Sequence, residues 1–275
     1  MKKRYIYLYL IGWWLFCVAC TGNFRDYNTD LSGITNEDLN IDDNGYGIRL
    51  GIIQQGIYFN YDYGKGKNWP FQLIQNLNAD MFSGYMHDAK PLNGGSNNSD
   101  YNMQDGWNSA MWTHVYSYIF PQIYQSENAT RDTHPALFGI TKILKVEVMH
   151  RVTDYYGPII YRHFANAEKH YQPDTQKEVY YEFFNELDSA VVALIGYIEE
   201  KPESNGFARF DILLDGKYSS WVKFANSLRL RLAMRLASIA PDKARLEIEK
   251  IKENDYGFFE RGSEKVAVST KSGYI

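Results

Sequence analysis

Flat aromatic faces beside carboxamides and a carboxylate are the residue combination in this chain that points most directly to chemistry. Trp69, Tyr85 and Tyr101 fall in Gly- and Asn-rich stretches, next to Asp80, Asn93 and Asn97. A pyranose ring can stack on an aromatic face while a few polar side chains bond its hydroxyls. The chain carries 23 Tyr, 15 Phe and 6 Trp, and helix packing accounts for most of them. These three aromatics lie on no packing stripe. They are therefore the candidate ligand-binding set, with Asp80, Asn93 and Asn97. The competing reading is that they anchor their own loops or meet a partner protein.

Covalent and metal chemistry find little support. The sequence has no H-E-x-x-H, G-x-S-x-G, Walker or G-x-G-x-x-G motif. No catalytic residue, metal ligand or cofactor is assigned. Glu147 and His150 form a Glu-x-x-His, half of a di-iron motif, but no second copy accompanies it. They are read as a surface pair on the polar face of a helix. Asp80, Asp88 and Asp105 are loop carboxylates of the kind a glycosidase pairs across a cleft, and they serve equally as caps or turn formers.

Residues 1–19 read as a lipoprotein signal. Lys2, Lys3 and Arg4 precede an apolar run from Tyr5 to Val18, and Ala19-Cys20 closes it. At roughly fifteen residues the run is too short for a span of about twenty. Cys20 is the expected lipid-attachment residue. It forms a C-x-x-C with Cys17, but both lie in or at the end of the leader, which excludes a redox role. Residues 20–44 are polar and read as a flexible tether. Without Lys2, Lys3 and Arg4 the chain has 26 basic against 33 acidic residues, a net of −7. That balance argues against nucleic acid as a partner. The one basic cluster, Arg229, Arg231 and Arg235, sits on a helix and is read as snorkelling or paired with acids.

The elements that must position the loop aromatics are helices. Apolar spacing predicts them over 45–59, 71–82, 107–125, 219–239 and, short and solvated, 242–254. Pro121 should kink the third of these. Between them, Asp132-Thr133 caps a helix with Pro135 in its first turn and Gly157-Pro158 at its end. Thr175 with Glu178 opens another by a capping box. Leu230, Ala233, Met234 and Ala237 give the 219–239 helix a second apolar side, so it should be buried between neighbours. Loops at 61–70 and 83–105 carry the candidate site, and a loop as long as the second is often functional. Residues 159–161 and 265–269 are candidate short strands. The fold class is all-α, with helix pairs stacked in sequence.

Two stretches carry a family resemblance: residues 149–161 (MHRVTDYYGPIIY) and 211–236 (DILLDGKYSSWVKFANSLRLRLAMRL). Residues 171–180, the Glu186-Leu187-Asp188 that follows, and Asn76 to Asp80 fit as well. The mature chain resembles the SusD/RagB family of nutrient-binding outer-membrane lipoproteins of Bacteroidetes. The resemblance implies tetratricopeptide-like helix pairs with long loops over 45–275. It implies an outer-membrane, lipid-anchored, surface-facing protein that captures glycans or, in some branches, peptides. The implied partner is a SusC-type TonB-dependent transporter, and no covalent chemistry is implied. Pro158 directly follows Gly157, where the family pattern places proline after an intervening aliphatic residue. The residues after Cys20 lack a dense acidic run. Family members are nearly twice as long, so the helical domain reads as incomplete at its C-terminus. The alternatives are a helical lipoprotein enzyme acting on glycans and an inactive remnant of a longer protein.

Overall fold

The computed structural model describes residues 44–59, 69–90, 92–165, 172–202, 204–260, 262 and 264–267. The signal, Cys20 and almost all of the tether lie outside the described residues. Helix α1 is Asn44–Gly56. Helix α2 runs from Trp69–Phe71 through a π-helical stretch, Gln72–Ala79, into Asp80–Phe82. A turn at Asp105–Asn108 leads to α3, made of Ala110–His114, a π-helical Val115–Ile119 and Phe120–Thr130. Then follow α4 (Pro135–Tyr156), α5 (Gln176–Glu200), α6 (Tyr218–Leu236) and α7 (Pro241–Lys250). Residues 159–161 make only an isolated bridge, Ile159 to Asp174, and the described residues contain no strand. Ile159 exchanges two backbone hydrogen bonds with Asp174, and nothing extends the pairing.

Consecutive helices pack on one another: α3 on α4, α4 on α5, α5 on α6 and α6 on α7. The apolar stripes supply the seams. Leu137, Ile140, Leu144, Val148 and Val152 of α4 are fully or almost fully buried, as are Val179, Phe183, Leu187 and Leu194 of α5. Gly139 lets α4 and α5 approach closely, because a Cβ there would stand 2.9 Å from the Ala190 carbonyl oxygen. The capping box at the start of α5 forms as read from Thr175 and Glu178. At the start of α4, by contrast, the capping position belongs to His134, without a side-chain cap. The Thr133 hydroxyl instead donates back to the Ala129 carbonyl at 3.0 Å.

Pro121 lies just after the π-helical stretch of α3, where the Phe120 N–H bonds the Val115 carbonyl five residues back. The wider register accommodates a residue that cannot donate and whose ring crowds the preceding turn. On α6, Trp221, Leu228 and Leu232 are buried as expected, but the second apolar side is only partly covered: Met234 is 59% exposed. The buried surface of α6 also takes in Tyr218, Val222, Phe224, Ala225, Asn226, Arg229, Ala233 and Leu236. Helix α7 is not simply solvated either, since its Glu247 is fully buried. Arg229 binds Glu247 and, at 2.6 Å, Asp188, while Lys243 and Lys250 complete the cluster.

The stretch 211–236 owes its pattern to a local hydrogen-bonding centre. The Asp211 carboxylate accepts the backbone N–H of Leu213, Leu214 and Gly216 at 2.9–3.0 Å and the Trp221 indole N–H at 2.7 Å. Gly216 has φ +73°, and a Cβ there would meet the Ala208 Cα at 2.5 Å. Gln54 of α1 grips the same turn, donating to the Phe210 carbonyl at 2.9 Å and accepting from the Ile212 N–H at 3.0 Å. In the stretch 149–161, Gly157 ends α4 at φ +78°, the turn-setting role its sequence suggested. Asp154 does more than set the turn. It accepts from the Tyr180 hydroxyl at 2.6 Å and pairs with Arg235 at 3.0 Å, joining three helices.

Candidate ligand-binding loop

The connection between α2 and α3 is an ordered loop built around asparagines. It contains two 3₁₀ turns, Leu92–Gly95 and Asn98–Asp100. Asn98 is fully buried beneath it. Its amide donates to the Leu77 carbonyl at 2.7 Å, to Asn78 Oδ1 at 2.6 Å and to Asn108 Oδ1 at 3.0 Å. Asn78 donates to the Leu73 and Trp107 carbonyls at 3.0 and 2.8 Å. The Tyr155 hydroxyl reaches both Asn78 and Asn108, and Tyr156 donates to the Asn108 carbonyl. Burial pushes the Tyr155 phenol up to about 12, so it stays a donor. Loop, α2, the turn before α3 and α4 are thereby fastened at one point. The π-helical stretch of α2 carries Asn78 into this centre.

A second lock lies within the loop itself. Asp88 accepts from the Ser99 hydroxyl at 2.5 Å, the Leu92 N–H at 2.9 Å and the Asn97 amide at 3.2 Å. The Ser99 hydroxyl first, and then the Leu92 N–H, hold the Asp88 carboxyl below its ordinary range. Asn97 is fully buried here; it also caps the second 3₁₀ turn by accepting the Ser99 N–H at 2.9 Å. Asp80 sits at the end of α2 and accepts from Gln75 at 2.7 Å and Asn76 at 3.0 Å. Asp105 opens the helical turn before α3. Each of the three loop carboxylates thus has a local structural place, and Asp80 and Asp88 have local hydrogen-bond donors.

Outside these locks the loop presents aromatic and thioether surface. Tyr85 is 89% exposed and Tyr101 72%, and Met86, Leu92 and Met103 are exposed as well. Tyr101 has φ +56°, a left-handed conformation unusual for an aromatic residue, and its ring stands 5.8 Å from that of Phe82. Phe82 in turn lies 6.4 Å from Tyr155, which connects the displayed ring to the buried network. Asn93 also has a positive φ, +48°, is exposed, and its side-chain amide donates to the Ser96 carbonyl at 3.2 Å. Trp69 begins α2 and is not a loop residue. The six residues chosen from sequence therefore divide. Tyr85, Tyr101 and Asn93 face solvent, Asn97 is an internal lock, and Asp80 buttresses the end of α2.

Sequence reasoning missed the residues that hold the display, Asn78, Asn98, Asn108 and the Tyr155-Tyr156 pair. The available signal was the density of asparagine between residues 76 and 108, in helix as well as loop. It also missed the exposed Met86 and Met103. Among the described residues no group of three or more His, Cys, Asp or Glu side chains could hold a metal ion. No described helix is long and apolar enough to cross a membrane.

This all-helical scaffold, with its stacked pairs and its aromatic loop, is that of a known class of outer-membrane lipoproteins. The family of SusD and RagB outer-membrane lipoproteins matches residues 26–274, and the chain belongs to it. It is similar to a SusD homologue from Bacteroides vulgatus, at 44% identity and a TM-score of 0.78 over 84% of this chain and 47% of that one. It is similar to a chitin-binding SusD homologue from Flavobacterium johnsoniae, at 35% identity and a TM-score of 0.76 over 82% of this chain and 46% of that one. A SusD homologue from Bacteroides uniformis aligns at 28% identity and a TM-score of 0.69, over 80% of this chain and 44% of that one. The chain thus spans about half the length of these relatives. No curated protein matches it.

Proposed function

We propose that this chain binds a glycan at the outer membrane, without covalent chemistry, and delivers it to a SusC-type TonB-dependent transporter. The observation that carries the reading is the Tyr101 ring. It is displayed in a strained left-handed turn, propped by Phe82 and supported from below by buried hydrogen bonds. Backbone strain kept in an over-determined loop is a mark of a functional site. A ring held in place before ligand arrives loses little entropy on binding. Tyr85 supplies further aromatic surface, Trp69 at the start of α2 is a further candidate, Asn93 offers an amide for hydroxyls, and Asn97 and Asp80 act by holding the loop and the end of α2. Family membership and the chitin-binding relative support a sugar as ligand. The local bonding of Asp80 and Asp88 speaks against the alternative of a glycan-cleaving carboxylate pair. Cys20 carries the lipid anchor in this reading, and the domain faces outward.

Calorimetry with a panel of glycans, chito-oligosaccharides included, tests the site. Tyr101→Ala and Tyr85→Ala should each weaken binding by about tenfold, the scale of one lost stacking contact of about 1–1.5 kcal/mol, with little change in melting temperature. Unchanged affinity in both variants would remove the loop from the site. Co-purification of the lipidated protein with an outer-membrane transporter tests the delivery step.

A further inference from the structure

A charged cavity of about 340 Å³ lies among the end of α1, α4, α6 and the segment that follows α7. Its walls include Tyr58, Phe224 and Phe259, and its charges are Glu147, Arg151 and Arg231. The segment after α7 is fixed against α6: Asn226 donates to the Gly257 carbonyl at 2.7 Å, and the Phe259 N–H to the Ser227 hydroxyl at 2.9 Å. The Tyr58 hydroxyl reaches the Val266 carbonyl at 3.3 Å. Glu147 and His150, expected as a surface pair, are instead sunk into this part of the fold. His150 is fully buried and the Glu147 side chain is only 21% exposed.

The charges here do not close on each other. Glu147 and Arg151 are one helical turn apart on α4, the spacing at which opposite charges ordinarily pair. Yet neither arginine comes within the 4.0 Å of an ion pair with Glu147, whose one titratable neighbour at that distance is the His150 imidazole, kept neutral by burial. Arg151 is held elsewhere: it donates to the Ile57 carbonyl at 2.9 Å and lies 4.2 Å over the Phe59 ring. Arg231 is exposed at the cavity and makes no hydrogen bond or ion pair among the described residues. An unpaired carboxylate and an unpaired guanidinium thus flank one aromatic-walled space. The same cluster keeps a half-buried carboxylate that burial opposes, pushing its pKa up to about 6. Groups held against their own stability are candidates for a binding role.

We propose that this cavity binds a compact organic zwitterion, an α-amino acid with a large apolar side chain. Its carboxylate would meet Arg231, its ammonium Glu147, and its side chain the aromatic wall. Such a ligand supplies both missing partners at once and leaves neither charge unpaired in a partly desolvated site. A simple carboxylate would leave Glu147 facing a second anion. A neutral sugar would leave both charges uncompensated.

Ligand-observed NMR and calorimetry on the whole chain test this with L-phenylalanine, N-acetyl-L-phenylalanine and L-phenylalaninamide. Saturable binding of the free amino acid is expected, with both blocked forms weaker by about tenfold or more, the scale of one lost charge-assisted hydrogen bond. Arg231→Gln, at an exposed position, should keep the melting temperature and lose binding by a similar factor. Glu147→Gln should erase the preference over the N-acetyl form. Absence of binding, equal binding of the blocked forms, or an unaffected Arg231→Gln would each overturn the proposal. Glycan binding in Arg231→Gln and amino-acid binding in Tyr101→Ala should both be unchanged, so this site and the loop stand or fall separately.

Discussion

Tyr101 and Glu147 are both kept in arrangements that local energetics disfavour. For Tyr101 the left-handed backbone costs roughly 1–2 kcal/mol against glycine. Tyr101→Gly should therefore leave the melting temperature unchanged or higher while weakening glycan binding, and calorimetry on a thermally characterised variant checks both. A fall in melting temperature would mean that the ring supports the loop more than it serves a ligand. For Glu147 the disfavoured state is the charged one. Burial raises its pKa from 4.5 to about 6, against the opposing pull of Arg151 and Arg231; Tyr58 and the neutral His150 also face it. A carboxyl with a raised folded pKa contributes stability that is present below pH 4.5 and is lost as pH rises through about 6. Glu147→Gln removes that dependence. Urea titrations should show the variant gaining about 2 kcal/mol on wild type between pH 4.5 and 7.5, the size of a shift of this order.

The helices differ in how far their own residues explain them. Helix α6 follows its stripe, and Leu232, fully buried, packs without a polar partner. Leu232→Ala should lose about 2–5 kcal/mol in denaturant titration. A loss near zero would show α6 to be peripheral. The α2–α3 loop is held by side-chain bonds rather than by a stripe. Asn98→Ala strips the buried centre of its three amide bonds and leaves the Asn78 and Asn108 side-chain oxygens to share the single Tyr155 hydroxyl proton. It should cost about 1–3 kcal/mol and raise amide exchange across 83–105 before it is felt in α5 and α6. Uniform loss of protection over all helices would mean the loop is part of the global folding unit. Gly216→Ala adds a Cβ against Ala208 in a left-handed turn. It should disturb the Asp211 centre and with it the start of α6.

The chain as a body is an anionic helical domain of a lipoprotein family, and the proposed lipid anchor is the remaining property that a single substitution can probe. Cys20→Ala should abolish acyl labelling and leave the leader uncut by lipoprotein signal peptidase, with the helical domain still folded. Normal lipid labelling of that variant would end the proposal. The relatives' greater length bears on the ligand surface. If residues outside this span line the glycan site, affinity in this chain should be lower than in a full-length relative, while Tyr101→Ala should weaken both.

Helix positions, the α5 capping box, the Gly157 turn and the family stretches were legible because they follow from contacts a few residues apart. A 3.6-residue stripe, a Thr three residues before a Glu and a glycine at a helix end each carry their own structural instruction. Likewise, the exposure of Tyr85 and Tyr101 followed from their lying off every stripe. What the tertiary structure alone decided is which polar residues are used up. Asn97 and Asn98 are neighbours of the same type in the same loop, and both prove to be internal locks, while Asn93 stays exposed. Glu247 and His150 read as surface residues and are fully buried. Arg229 and Arg231, two residues apart, end in a buried ion-pair cluster and at the edge of a cavity. The reason is physical: a polar side chain is buried wherever a partner from a distant segment meets it. That partner, such as Asp188 for Arg229 or Tyr155 for Asn78, is fixed by helix packing and leaves no trace in the local spacing of residues.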